Sequence, residues 1–165
     1  GQAGGVYILN SSVIMDSCRI TRNIAYSSGG GIYSTSSQLT INNSSIDGNL
    51  AQNDVGGGIY SDADAGSIAL NNVTVNYNTA NYNGGGLHFY SGSLTAIHSE
   101  FNYNINNGNG GGGLSIAHGT IDFKNCTIKG NQALKQGTKI MLFKFSLQIH
   151  ILQCSFFLHK VSFTN

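Results

Sequence analysis

Ile46-Asp47-Gly48-Asn49-Leu50-Ala51, followed after a short polar gap by Gly56-Gly57-Gly58-Ile59-Tyr60, is a two-part phrase that returns along almost the whole chain. The last glycine of each copy stands at Gly5, Gly31, Gly58, Gly86 and Gly113, in steps of 26, 27, 28 and 27 residues. An asparagine keeps the same clock at Asn23, Asn49, Asn78, Asn104 and Asn131. A period of this length, with one short supersecondary unit per period, is the mark of a solenoid, in which each unit buries its apolar face only against its neighbours.

Laid over one another from the asparagine, the copies show alternating apolar and polar columns, the pattern of half-buried strands. One inward column holds Leu39, Ile68, Leu94, Ile121 and Ile149; two residues on stand Ile41, Leu70, Ala96, Phe123 and Ile151. Thr40, Ala69, Thr95, Asp122 and His150 lie between them and are expected to face water. Asn42-Asn43, Asn71-Asn72 and Asn125 then interrupt the alternation at a bend, and a second strand resumes it with Ile20, Ile46, Val75, Phe101, Ile128 and Phe156 inward. A third strand begins at the glycines, with Ile32, Ile59, Leu87 and Leu114 inward and Tyr33, Tyr60, His88 and Ser115 outward. Three short strands per period predict an all-β fold, a three-sided parallel β-helix of about six coils of about 27 residues, each strand pairing with its counterparts at roughly 4.8 Å.

The glycines suit places where the chain re-enters a sheet, because they admit positive φ and close backbone approach. They do not read as a phosphate loop, which occurs once, ends in Lys-Ser/Thr and opens a helix. Calcium-binding nonapeptides need an aspartate in every unit, whereas paired carboxylates occur here at Asp62-Ala63-Asp64 alone. The asparagine column is expected to be an internal amide ladder that locks coil register. Cys18, Cys126 and Cys154 share a column with Ser44, Val73 and Ser99. Stacked side chains one coil apart hold their Cβ atoms beyond disulfide reach, so free buried thiols are expected.

Of 165 residues 9% are charged, with a formal net charge of +1, 23 glycines and no proline. Apolar residues make up 40%, spread evenly through the repeats, which argues for a packed chain rather than disorder. No cluster of Lys or Arg offers a footprint for nucleic acid. No cofactor or metal motif is present, and Ile140 to Leu158, the most apolar stretch, is broken by Lys144, Gln148, His150 and Gln153, so no membrane span is expected. The chain opens without methionine inside a repeat, as an excised piece would.

Catalysis on a β-helix needs carboxylates gathered on one face, to bind Ca²⁺ or to act as acid and base on a glycosidic bond. Asp16, Asp47, Asp54, Asp62, Asp64, Glu100 and Asp122 are scattered through the alignment, and His118 stands alone in a turn, so no catalytic residue is expected. Two surface features carry other readings. Tyr7, Tyr33, Tyr60 and His88 form an outward stripe that either stacks on sugars or stacks on itself to stiffen the sheet. N-glycosylation sequons occur at Asn10, Asn42, Asn43, Asn72 and Asn125, of which Asn43, Asn72 and Asn125 share one position at the bend.

Phe101-Asn102-Tyr103-Asn104 followed by Gly111-Gly112-Gly113-Leu114 resembles the paired FxxN and GGA(I/L/V) repeats of the chlamydial polymorphic outer membrane proteins. The other copies keep an apolar residue, two spacers and Asn, from Ile20 to Asn23 through Ile128 to Asn131, with GGG where that family usually has GGA. The resemblance implies a right-handed parallel β-helix, extracellular or on the cell surface, that serves as an adhesin passenger, rod or filament subunit. Cell-surface glycans are the other partner class considered, through the aromatic stripe.

Residues 1–139 read as repeat coils and 140–165 as a divergent apolar last coil of the same domain. Leu152 and Phe157 are apolar at outward positions, and a strand apolar on both faces expects cover on both. That segment is expected to be a cap or an interface, with further coils of a longer chain, or copies stacked head to tail, as partners.

Overall fold

A computed structural model describes residues 1–62, 66–135, 140–143, 147–156 and 161–164; for 140–143, 147–149, 151, 156 and 161–164 it describes the backbone alone. The first side of the solenoid is a seven-stranded sheet of Val6–Leu9, Ile32–Thr35, Ile59–Asp62, Leu87–Phe89, Leu114–Ile116, Ile140–Phe143 and Val161–Thr164. The second, six-stranded, stacks Ser12–Asp16, Gln38–Asn42, Ser67–Asn71, Ser93–Ile97, Gly119–Lys124 and Leu147–Leu152. On the third, Arg19–Thr21 pairs with Ser45–Asp47, Glu100–Asn102 pairs with Thr127–Lys129, and Thr127–Lys129 pairs in turn with Ser155–Phe156. Thr74 bridges the two groups by parallel pairing to Ser45 and Glu100. All pairings are parallel, and the columns counted in sequence are the register, as in Leu39↔Ile68, Ile68↔Leu94 and Leu94↔Ile121.

The structure adds a fourth strand per coil. Ile24–Ala25, Leu50–Ala51, Thr79–Ala80, Ile105–Asn106 and Gln132–Ala133 form a five-stranded ladder directly after the asparagine column. Two residues are too few to show a period, so the segment is silent in sequence. It exists because each coil turns a left-handed corner one residue before the ladder asparagine. Arg22, Tyr77 and Tyr103 adopt φ of 58°, 57° and 55°, and Gly48 and Gly130 69° and 67°, after which the chain is extended again. A left-handed conformation costs about 1–2 kcal/mol for a residue with a Cβ. It persists because the coils above and below hold it in place.

The interior is a set of stacked apolar columns. Ile41, Ile46, Ile59, Leu70, Val75, Leu87, Leu94 and Phe101 are wholly buried, and Ile20, Leu39, Ile68, Leu114, Ile121, Phe123 and Ile128 nearly so. Phe101 and Phe123 stack at 5.7 Å with planes 7° apart. At about 1.5–3 kcal/mol for each fully buried side chain, these columns are the main source of stability. The fourth ladder adds a narrower column of Ala25, Ala51 and Ala80, all buried.

Space explains why glycines and asparagines travel together. In three of the four triplets the first glycine supplies positive φ, at 67°, 69° and 60° for Gly29, Gly56 and Gly84. The second has no room for a side chain: a Cβ on Gly57 would stand 2.3 Å from the Thr79 carbonyl oxygen and 2.4 Å from that of Gly85. The third lies against the amide ladder, with a Cβ on Gly58 placed 2.9 Å from Asn78 Nδ2 and one on Gly86 2.8 Å from Asn104 Nδ2. The two halves of the repeat phrase are one packing unit.

Strand pairing continues through the divergent segment, Ile121↔Ile149 and Leu114↔Ile140 among its pairs. Leu152 is 56% exposed. The inward placements of Ile149, Ile151 and Phe156 and the outward placement of Phe157 lie outside the described residues.

Candidate functional site

The asparagine column is a continuous hydrogen-bonded ladder. Asn49 Nδ2 donates to Asn78 Oδ1 at 3.0 Å and to the Ile20 carbonyl at 2.9 Å, while the Asn49 N–H donates to the same Asn78 oxygen at 2.8 Å. Asn78 repeats the set toward Asn104 Oδ1 and the Ile46 carbonyl, and Asn104 toward Asn131 Oδ1 and the Val75 carbonyl. At one end Asn23 donates to Asn49 Oδ1 from N–H and Nδ2, and at the other Asn131 Nδ2 donates to the Phe101 carbonyl. Each of the three central amides accepts two bonds and donates two, so none of its polar capacity is left for a ligand.

The aromatic stripe is also stacked along the axis. Ring centroids of Tyr7 and Tyr33 are 5.2 Å apart, Tyr33 and Tyr60 4.7 Å, and Tyr60 and His88 5.8 Å, with planes within 22° of parallel. The expectation that all four point to water is corrected: Tyr7 is 50% exposed, but His88 is only 8% exposed and its neighbour Ser115 is wholly buried. His88 Nδ1 and Ser115 Oγ have no hydrogen-bond partner. Burial pushes the His88 imidazole down to about 4 against a small opposing pull from Asp54, and raises the Tyr33 and Tyr60 phenols above their ordinary value. Between successive coils the ring faces of the stripe are covered by one another.

The sequon column stands at a second left-handed corner. Asn43, Asn72 and Asn125 have φ of 48°, 54° and 54°, and Asn10 lies at another corner with φ 48°. Asn10, Asn43 and Asn72 are exposed, while Asn42 and Asn125 are half-buried. The amides form an outer ladder, with Asn43 Nδ2 donating to Asp16 Oδ1 at 3.0 Å and Asn72 Nδ2 to Asn43 Oδ1 at 3.0 Å. Asn125 Nδ2 lies 2.9 Å from His98 Nε2.

The carboxylates are dispersed and tied to the scaffold. Asp54 accepts from Ser28 Oγ at 2.7 Å, Asp47 from the Asn76 N–H at 3.0 Å, and Glu100 from Asn102 Nδ2 at 2.9 Å. Burial raises the Asp47 carboxyl above its ordinary value, against hydrogen bonds and Arg19, which lower it. Asp62 ends a strand of the first side, and Asp64 lies outside the described residues. His118 packs edge-on against Tyr90 at 5.7 Å. Among the described residues no three His, Cys, Asp or Glu side chains are grouped to hold a metal ion, and no helix is long and apolar enough to cross a membrane. The three cysteines are free, with Cys126 buried and its thiol pushed up to about 11 by burial.

One column of polar and aromatic side chains escaped sequence reasoning. Arg22, Gly48, Tyr77, Tyr103 and Gly130 occupy the corner one residue before each ladder asparagine. That fixed offset was the signal available, but the residue types at the position are so unlike that no pattern showed.

A family model for the right-handed β-helix region matches residues 1–156 of the chain. No curated protein and no solved structure matches it.

Proposed function

Because the chain belongs to the right-handed β-helix family, we propose that it is a non-catalytic structural segment of a secreted or cell-surface protein, a rod that spaces or presents other parts. Fold alone does not separate a rod from a polysaccharide-cleaving enzyme. The observation that carries the reading is where the polar groups are spent. The central ladder amides, the outer-corner amides and the carboxylates of Asp16, Asp47, Asp54 and Glu100 bond to the scaffold itself. A catalytic face needs such groups free and gathered.

The FxxN-like and GGG phrases support a passenger role of the kind found in the chlamydial surface proteins they resemble. Further coils, in the same chain or in a second copy, are the partners this reading implies, since a parallel β-helix extends by adding strands to each sheet. The left-handed corner of Asn43, Asn72 and Asn125 is proposed as a line of N-glycans in a cell that attaches them. Mutual ring stacking disfavours the stripe of Tyr7, Tyr33, Tyr60 and His88 as a sugar platform.

The test is geometric. Duplicating one coil, residues 59–86, should lengthen the particle seen by small-angle scattering by one coil rise, about 4.8 Å, with its cross-section unchanged. Release of oligosaccharides from uronide, neutral or amino-sugar polymers by the purified chain would overturn the non-catalytic reading.

A further inference from the structure

Parallel register brings like residues of successive coils to within about 4.8 Å of one another along the axis, so a tyrosine that recurs in a column stacks on its counterpart. Tyrosines do this in two columns, and the two stacks are built differently. On the first side Tyr33 lies between Tyr7 at 5.2 Å and Tyr60 at 4.7 Å, and Tyr60 lies between Tyr33 and His88 at 5.8 Å, so each ring is covered on both faces. Burial raises both phenols above their ordinary value. At the corner before the asparagine ladder the stack is a pair, Tyr77 on Tyr103, with centroids 5.3 Å apart and planes 10° from parallel. Tyr77 is 62% exposed and Tyr103 40%.

The pair is anchored at its backbone and free at its rim. The Tyr77 N–H donates to the Asn102 carbonyl at 3.0 Å and the Tyr103 N–H to the Lys129 carbonyl at 2.9 Å, which fixes both residues between coils. The Tyr103 ring lies over Gly130, where a Cβ would stand 2.5 Å from Tyr103 Cδ1. Tyr77, the more exposed of the two, is the ring with freedom to turn, and exposed side chains change rotamer in picoseconds to nanoseconds. We propose that Tyr77 and Tyr103 are an oxidative cross-linking site, at which a peroxide-using one-electron oxidant joins the two rings as a dityrosine and ties neighbouring coils covalently.

The chemistry balances with one peroxide. Each phenol gives one electron to the oxidant and its O–H proton to solvent, leaving two phenoxyl radicals with spin on the ring carbons ortho to oxygen. A bond forms between a Cε of Tyr77 and a Cε of Tyr103; the hydrogen on each of these carbons leaves as a proton, and each phenolic oxygen takes one up. One hydrogen peroxide accepts the two electrons and two protons and becomes two waters, so the chain loses two hydrogens in all. Holding the two rings side by side makes the coupling effectively unimolecular, whereas radicals on different chains must meet by diffusion. The product joins the rings edge to edge, so one of them must swing out of the stack. Tyr77 can do so, while Tyr33 and Tyr60 would each have to leave two stacked neighbours and are harder to deprotonate. The inference goes beyond the rod reading and is independent of it, since the pair follows from coil geometry whatever the solenoid serves.

The experiment treats the dilute native chain with a haem peroxidase and one equivalent of hydrogen peroxide, then cuts it in denaturant after Glu100 with thiols reduced and blocked. Tyr103 is the one tyrosine beyond Glu100, so a dityrosine that keeps the two fragments joined must include it. The expected product is a monomer lighter by two hydrogens, with dityrosine fluorescence and fragments 1–100 and 101–165 joined through Tyr77 and Tyr103. Tyr77→Phe and Tyr103→Phe keep a ring to stack, should show the native circular dichroism, and should each lower the joined product at least about ten-fold, because the remaining tyrosines lack a partner held across the cut. Tyr33→Phe should leave the yield unchanged. The proposal is overturned if the fragments separate although tyrosine has been consumed, if cross-linked dimers form in place of the monomeric product, if folded Tyr77→Phe gives an undiminished yield, or if Tyr33→Phe abolishes it.

Discussion

Replacing Asn78 by leucine tests what holds the coils in register. The substitution keeps side-chain size but removes Nδ2, which donates to the Ile46 carbonyl at 2.8 Å and to Asn104 Oδ1 at 3.1 Å. It also removes Oδ1, which accepts from the Asn49 N–H at 2.8 Å and from Asn49 Nδ2 at 3.0 Å. Some of these partners have a second bond: Asn49 Nδ2 keeps the Ile20 carbonyl, and Asn104 Oδ1 keeps the Asn78 N–H. The Asn49 N–H and the Ile46 carbonyl lose the amide partner that these bonds supply. At about 1–3 kcal/mol for each orphaned buried group the loss is about 2–6 kcal/mol. For a domain of this size 1 kcal/mol moves the melting temperature by roughly 2–4 °C, so a central loss of about 4 kcal/mol predicts a fall of about 8–16 °C. Thr40→Leu, on the outer face of the second side, should stay within about 0.5 kcal/mol of the native chain. Thermal and urea unfolding followed by far-UV circular dichroism compares the two. If both variants melt within about 2 °C of each other, the ladder contributes no more than a surface residue and the reasoning fails.

Gly57→Ala should prevent correct stacking, because its Cβ would stand 2.3 Å from a backbone oxygen, whereas Gly48→Ala meets nothing closer than 3.8 Å and should cost only the left-handed penalty of about 1–2 kcal/mol; urea midpoints that match for the two would contradict this. His88 is held neutral with a folded value of about 4 against 6.5, so the unfolded chain binds more protons between those values. Stability should be full above pH 6.5 and fall by up to about 3 kcal/mol as pH drops toward 4. His88→Phe, which can keep the stack on Tyr60, should remove most of that slope, and an unchanged slope would assign it to other groups. All three thiols should titrate with a disulfide reagent in denaturant, while Cys126 in the native chain, buried with its thiol pushed up to about 11, should lag behind half-buried Cys18; equal native rates would show that the coil around Cys126 opens readily.

A chain that stacks on itself writes its contacts into its period. Residues one period apart are nearest neighbours along the axis, so counting from the asparagines was enough to place Leu39 beside Ile68, to find the ladder of Asn49, Asn78 and Asn104, and to expect unpaired cysteines. The period carries no information about what lies sideways from a column. Only the tertiary structure separated the glycines into one that needs positive φ and two that need space, because the crowding atoms come from other columns. Burial of His88 and Ser115 at positions written as outward was hidden for the same reason. The two-residue strands of the fourth ladder were too short to alternate.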